Sequence, residues 1–424
     1  MLKQKKPEQG LPAVTPVDRA RFILANINWN FSTPFSVGRS GLHFFDCRKY
    51  HWYPATFIPE IPYTLIEVLT SPGAVVYDPF AGIGTTLFQA LLLGRLPVGS
   101  EICTVSVWLI KSFWTLLNPR TNLMQVANDL SGVETSYDAD IKYCRRLTKS
   151  EVLVDRLRPW FNPEPFNQLM YLRAYEDKLR SAATKAAMRI ALSATLKAVC
   201  AQDEGWGCIA DNVLPKPDQV KKPRNALERF RRNMNLLLRD MGEIQARLPA
   251  LAKDFLRDCS VEDQIKRLDV RRGEFPKDET VDLVVTSPPY PNMTDYSTSQ
   301  RLSYYLLGKD PGQDLPEELG ARRRRFSASA IEDYRTGMRA ALEVICRKLK
   351  PGGYICLVMP KFNADNHNNT IRKQVVQECL GFLHTNGCTL EQELSRILPK
   401  RRRHHNQKWI SLEKESIHVF RKLQ

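Results

Sequence analysis

Val75-Val76-Tyr77-Asp78-Pro79-Phe80-Ala81-Gly82-Ile83-Gly84-Thr85-Thr86 is the stretch on which the reading of this chain turns. An apolar run, AVVYDPF, ends on an acid, a glycine turn follows, and LFQALLLG then reads as a helix stopped by Gly94. The spacing predicts strand, turn and helix in succession. RLPVGSEI gives a second strand, ending at Glu101.

The turn has ligand-binding character. Its glycines let backbone approach a ligand without Cβ clashes, and the helix that follows offers free N–H groups. A dinucleotide fold would set a pyrophosphate there. Here the spacing is G-x-G without a third glycine, and Asp78 stands at the strand end. A carboxylate in that position repels phosphate and suits a ligand with a cationic amino group, such as the methionine part of S-adenosylmethionine. Glu101, at the end of the next strand, is placed to accept from ribose hydroxyls.

Outward from this unit the strand–helix alternation is interrupted and then resumes. Residues 1–40 are polar and proline-dotted and read as an N-terminal arm. Residues 41–70 are aromatic-rich and close in a short helix near Pro62 to Leu69. From about Thr104 to Phe255 the period is helical, clearest in AATKAAMRIALSATLKAVCA and NALERFRRNMNLLLRDMGEIQARL. That is too long for an ordinary connection, so residues 111–254 are expected to form an inserted helical subdomain. VDLVVTSPPY then resumes as a near-continuously apolar strand, as a buried parallel strand should. A helix over 331–350, the strand YICLVMP, the helix TIRKQVVQECLGFLHTNG and two closing strands, TLEQELSRILP and KESIHVFRK, complete the pattern. The expectation is α/β: a doubly wound, Rossmann-like sheet built from 41–110 and 255–424, with the helical insert between.

The second chemical string is Thr286-Ser287-Pro288-Pro289-Tyr290, at a strand's C-terminal end, where α/β sheets place ligands. Consecutive prolines remove two donors and stiffen an extended chain, so the carbonyls of Ser287 and Pro288 stand out as fixed acceptors beside the Ser287 hydroxyl. Such an array holds an NH₂ group by its protons and aims the nitrogen lone pair at an electrophile. Tyr290 offers a flat face for stacking a base. An amine attacking a sulfonium carbon needs no covalent enzyme intermediate, so positioning and acceptors near the growing positive charge do the work.

Bulk properties agree. Among 424 residues, 62 Lys and Arg against 46 Asp and Glu leave a net charge of +16, which favours a polyanionic partner. Ten cysteines occur singly without zinc-knuckle spacing, so reduced thiols and no metal site are expected. No apolar run reaches a membrane-spanning length, and the first residues lack an apolar signal core, so the sequence reads as cytoplasmic.

Together, DPFAGIGTT at 78–86 and TSPPY at 286–290 resemble the cofactor and catalytic motifs of the DNA amino-methyltransferases, the cytosine-N4 and adenine-N6 enzymes of restriction–modification and related systems. Serine at the head of the catalytic motif is more typical of the cytosine-N4 branch. KYHWYPATFIPEIPYTLI resembles the helix that precedes the cofactor turn and closes over the methionine end; Tyr53 lies in it. The resemblance covers about 41–110 and 255–424, and is faint in the insert near RPWFNPEPFNQLMYLR.

What the resemblance implies is S-adenosylmethionine as cofactor, held by Tyr53, Asp78, Pro79, Phe80, Ala81, Gly82, Gly84, Thr85, Thr86 and Glu101. Ser287, Pro288, Pro289 and Tyr290 would transfer its methyl group to the exocyclic amine of a flipped DNA base, cytosine N4 first. Adenine N6, an RNA base amine and a catalytically silent nucleic-acid-binding relative are the alternatives. The family also carries an acid ahead of the catalytic strand that meets the adenine amine, for which Asp258 in RDCSVED is the candidate. DNA phosphates would meet Arg322, Arg323, Arg324 and Arg325 and, between the last two strands, Lys400, Arg401, Arg402 and Arg403. Companion restriction or defence proteins are implied partners. Target recognition falls either to the insert or to 291–330 with the C-terminal basic loop.

Overall fold

The computed structural model describes residues 15–31, 44–54, 56–137, 153–202, 214–215, 222–324, 327, 329–363, 367–398 and 414–423. Seven strands form one sheet: β1 (Val75–Asp78), β2 (Leu96–Glu101), β3 (Ile265–Arg267), β4 (Val281–Thr286), β5 (Leu349–Lys361), β6 (Cys388–Ile397) and β7 (Lys414–Lys422). Their spatial order is β3-β2-β1-β4-β5-β7-β6. The first five pair in parallel, and β7 runs antiparallel between β5 and β6. This is a doubly wound, Rossmann-like α/β architecture, as the sequence predicts. The chain winds outward one way from β1 through β2 to β3 and the other way from β4. The switch in direction falls between β1 and β4, and Val76 and Tyr77 pair there with Leu283 and Val284. A crevice at such a switch point is where these sheets bind ligands.

The expected elements appear with small shifts at their ends. The helix before the glycine turn, α1, is Glu60–Leu69; α2 is Thr85–Leu92; α3 is Thr104–Leu117. In the inserted region α4 (Pro163–Lys178), α5 (Ala182–Val199) and α6 (Ala226–Arg247) dominate. Ser181 and Asn225 start α5 and α6 by accepting the N–H groups of Thr184 and Glu228, the side-chain caps their residue types favour. The carboxyl half adds α7 (Ala330–Lys348) and α8 (His367–Thr385), which cover one face of the sheet with Met338, Leu342, Val375 and Leu383 buried. The short β3, only IKR, was not visible as a strand in the sequence; it is too short to show a period.

Two packing facts refine the domain reading. Helices of the inserted region share one continuous apolar core with the sheet's flank: Phe45, Phe88 and Phe113 bury in the same cluster as Leu169, Ile190 and Met241. Within the stretch read as an arm, a helix spans Pro16–Ala25, and Leu24 and Trp29 pack with Ile61, Val285 and Val358 in the core behind the sheet. Threonine 15 caps that helix and Pro16 opens it, so the proline marked a helix start, not a loop.

Candidate active site

The carboxyl ends of β1 and β4 stand side by side, and their terminal polar residues are joined: Thr286 Oγ1 donates to Asp78 Oδ1 at 2.6 Å. Asp78 also accepts from the Phe80 N–H at 3.1 Å, which folds the chain back after the strand. The glycine turn then requires left-handed backbone twice, φ +52° at Gly82 and +87° at Gly84. At Gly84 a Cβ would sit 2.8 Å from the Phe88 ring; at Gly82 it would sit 3.3 Å from the Tyr53 ring. Both positions therefore exclude other residues on conformational and steric grounds. Gly84 caps α2, and Thr86 Oγ1 in its first turn donates to the Val285 carbonyl at 3.2 Å, tying the helix start to β4.

Glu101, at the end of β2, grips the turn from the side. Its Oε2 accepts from the Gly82 N–H at 2.7 Å and its Oε1 from the Cys103 N–H at 2.8 Å. A carboxylate has lone pairs beyond these two. Burial pushes Glu101 up to about 7, against the pull of the Cys103 and Gly82 N–H groups, with Asp78 adding repulsion. Burial likewise raises Asp78 to about 6, against hydrogen bonds from Thr286, Thr86 and the Phe80 N–H. Two desolvated acids a short distance apart are poised for a cation.

These groups line one cavity. Its wall includes Tyr53, Asp78, Pro79, Phe80, Ala81, Gly82, Thr85, Glu101, Ser287 and Pro289. Both sequence strings thus open into the same space. Gly84 and Thr86 shape the turn from behind instead of lining the cavity. Pro288 and Tyr290 are also off the wall, and the Tyr290 ring is buried, with its hydroxyl donating to Glu415 at 3.0 Å. The stacking face expected of Tyr290 is therefore packed inward in this structure.

Two further expectations are corrected by position. Asp258 is at the surface, 74% exposed, within 4.0 Å of Arg120 and away from the cavity. The acid on the wall from this region is Asp269, beyond β3. Arg323 is not turned out as a phosphate contact: its guanidinium donates to Glu318 at 2.7 Å, and its N–H donates to Asp295 at 3.0 Å. Arg322 is half-buried, Arg324 is exposed, and Arg325 with Lys400, Arg401, Arg402 and Arg403 lies outside the described residues.

The stretch after TSPPY, which gave no clear element in the sequence, is a lid. Tyr296 from its first turn stacks on Tyr53, with ring centroids 5.8 Å apart. The chain then returns so that Glu317, Glu318 and Leu319 close the cavity opposite Asp78. Two carboxylates pin it. Asp314, fully buried, accepts from the Thr104 N–H at 2.7 Å, from Arg267 Nη2 at 2.6 Å and from the Tyr304 hydroxyl. Glu318 accepts from the Ser297 N–H at 2.6 Å as well as from Arg323. Gly320, at φ +62°, lets the lid lie against the Tyr290 carbonyl, 2.9 Å from where a Cβ would be. None of these long-range partners could be read from local pattern.

A family model for DNA methylases of the N6/N4 type matches residues 28–110, which hold the cofactor turn and its two flanking strands. That segment is similar to the DNA amino-methyltransferase family. Among curated relatives, the type II methyltransferase M.MvaI of Kocuria varians is 26% identical over 256 residues, 57% of this chain and 53% of that protein. The type II methyltransferase M.BsoBI of Geobacillus stearothermophilus is 26% identical over 278 residues, 61% and 52% of the two chains. M.MjaII of Methanocaldococcus jannaschii matches at 21% over 385 residues, 73% and 71%. The chain spans about half the length of the first two. Among solved structures, the rRNA methyltransferase aviRa from Streptomyces viridochromogenes aligns over 91% of this chain and 96% of its own, at 11% identity and a TM-score of 0.32.

The likeness to DNA methylases implies S-adenosylmethionine as the methyl donor, and the cavity fits it. Among the described residues the wall carries five carboxylates, Asp78, Glu101, Asp269, Glu317 and Glu318, and no Lys, Arg or His; arginines behind the wall pair with the last three, leaving Asp78 and Glu101 without a basic partner. A phosphate-bearing cofactor would be repelled there, whereas a sulfonium with an ammonium group would be held. Among the described residues there is no group of three or more His, Cys, Asp or Glu side chains arranged to hold a metal, and no helix is long and apolar enough to cross a membrane.

Proposed function

We propose that this protein transfers the methyl group of S-adenosylmethionine to an exocyclic amine of a DNA base, cytosine N4 in particular, by direct in-line attack on an extruded base. The observation that carries the reading is the single cavity shared by the acids of the glycine turn and by Ser287 and Pro289. DNA as substrate is supported by the type II methyltransferase relatives and by the net charge of +16. Cytosine N4 is favoured by the serine that heads the catalytic motif, the pattern of that branch.

In this mechanism Asp78 and Glu101 hold the cofactor's cationic and hydroxyl-bearing parts, and Tyr53 and Phe80 supply apolar wall. When bound, the cofactor would supply an electrophilic methyl group for the base amine, whose surplus proton would pass to water as the product leaves. Ser287 Oγ and the rigid carbonyls beside it accept from the amine and orient its lone pair. As positive charge grows on nitrogen, those acceptors stabilise it. The lid, pinned by Asp314 and Glu318, excludes water from the reaction. A base in duplex DNA must leave the stack to reach Ser287. The exposed Arg324 and the basic residues Lys400 to Arg403 are assigned to phosphate contacts, and the helical segment 111–254 to target recognition. A companion restriction nuclease and a cytoplasmic location belong to the same reading.

The test is mass spectrometry of nucleosides from DNA incubated with the protein and cofactor. N4-methylcytosine supports the proposal. N6-methyladenine alone rejects the base assignment, and methylation of RNA but not DNA rejects the substrate.

A further inference from the structure

Both residues behind the catalytic motif's hydrogen bonding come from the antiparallel pair β7 and β6 at one side of the sheet. Tyr290 donates to Oε1 of Glu415 at 3.0 Å, and Glu415 is the second residue of β7. Its cross-strand partner on β6 is Arg396, whose Nη1 lies 3.6 Å from Glu415 Oε2. Arg396 is only 1% exposed. On the other side, the Ser287 hydroxyl donates to the Tyr290 oxygen at a long 3.5 Å. A buried ion pair is a poor stabiliser, because desolving two charges offsets their attraction. This pair is set behind the one tyrosine of the SPPY motif, which argues for a chemical use.

We propose that Glu415 is a positioning residue that sets the direction of the chain Ser287–Tyr290–Glu415. An ionised carboxylate only accepts. Tyr290 must therefore spend its proton on Glu415, which leaves its oxygen to accept from Ser287. The Ser287 proton is drawn away from the cavity, and its lone pairs are turned toward the amine that attacks. Arg396 sets a guanidinium 3.6 Å from the other Glu415 oxygen, a charge that favours the carboxylate form. With burial and the neighbouring carboxylate both raising the Tyr290 phenol well above its ordinary value, it stays protonated and remains the donor. Hydrogen bonds of this kind tighten on substrate binding, so the long Ser287 contact is compatible with the role. The inference rests on the base-amine reading above.

Glu415→Gln keeps the shape and destroys the polarity, because its amide can donate to Tyr290 and let Ser287 point its proton into the cavity. The expected result is a fall in kcat of about 10- to 100-fold with cofactor Kd and melting temperature nearly unchanged. Glu415→Asp, still acceptor-only, should retain more activity than Glu415→Gln. In a Tyr290→Phe background, Glu415→Gln should cost nothing further. If Glu415→Gln leaves an unpaired charge that unfolds the protein, Glu415→Gln with Arg396→Met removes it and must show the same loss of kcat. Wild-type DNA methylation with Glu415→Gln within twofold of it overturns the role of Glu415 alone. Absence of methyl transfer by the wild type overturns the base-amine reading and this role with it.

Discussion

Replacing Glu101 by Gln should flatten the pH dependence of cofactor binding. Glu101 rises to about 7 and Asp78 to about 6 because both are buried. A cationic ligand prefers the ionised forms, so affinity should fall as pH drops through these values. An acid with that higher value is about one quarter protonated at pH 7.5 and about nine tenths at pH 6, weakening binding about eightfold; Asp78 adds about twofold, for about 16-fold in the wild type. In Glu101→Gln only the Asp78 part, about twofold, should remain, on top of a loss of roughly tenfold at pH 7.5 from the weaker acceptor. The ratio of wild-type to variant Kd cancels the titration of the ligand's own amino group. Isothermal titration with S-adenosylmethionine or its demethylated product measures it. The unliganded protein should respond in the opposite sense. Folded values above the unfolded ones mean that the two acids favour folding fully below about pH 4, and that the contribution is lost as pH rises through about 6 to 7. A wild-type Kd independent of pH, or a variant that keeps the wild-type slope, would refute the reasoning.

Other consequences follow from particular contacts. Gly84→Ala, forced into φ +87° with its methyl 2.8 Å from Phe88, should cost about 2–4 kcal/mol in denaturant unfolding. Arg323→Ala should loosen the lid and raise the KM for cofactor several-fold while sparing DNA affinity, whereas the exposed Arg324→Ala should do the reverse, with a shallower salt dependence of DNA binding. Asp258→Ala should leave cofactor binding and turnover unchanged, and Asp269→Ala should weaken cofactor binding, both checked by titration and initial rates.

The parts of the fold carried by local pattern were legible: the apolar run, glycine turn and helix of 75–92, the buried strand before TSPPY, and two closing strands. A positive-φ turn has few permitted residues, and a buried parallel strand has a distinctive run, so each announces itself. What escaped depends on distant partners. Asp258 and Asp269 look alike in RDCSVEDQIKRLDV, and only the three-residue β3 decides which acid turns into the cavity. Four consecutive arginines read as a phosphate-binding run, yet Arg323 is claimed by Glu318 and Asp295, whose approach depends on how the lid folds. Asp314 sits in a stretch without periodicity and becomes a buried anchor because Thr104 and Arg267 meet it there. Glu415 lies 125 residues from Tyr290 and reads as an ordinary polar residue opening a closing strand.

The central claim, one cavity holding donor and base side by side, is tested most directly by a crystal structure of the protein with S-adenosylhomocysteine and a DNA duplex containing the methylated site. The expected structure has the ligand's amino acid portion against Asp78, its ribose against Glu101, and an extruded cytosine with N4 at Ser287 facing the sulfur. Ligand seated elsewhere, or a flipped base whose amine faces away from Ser287, would contradict it.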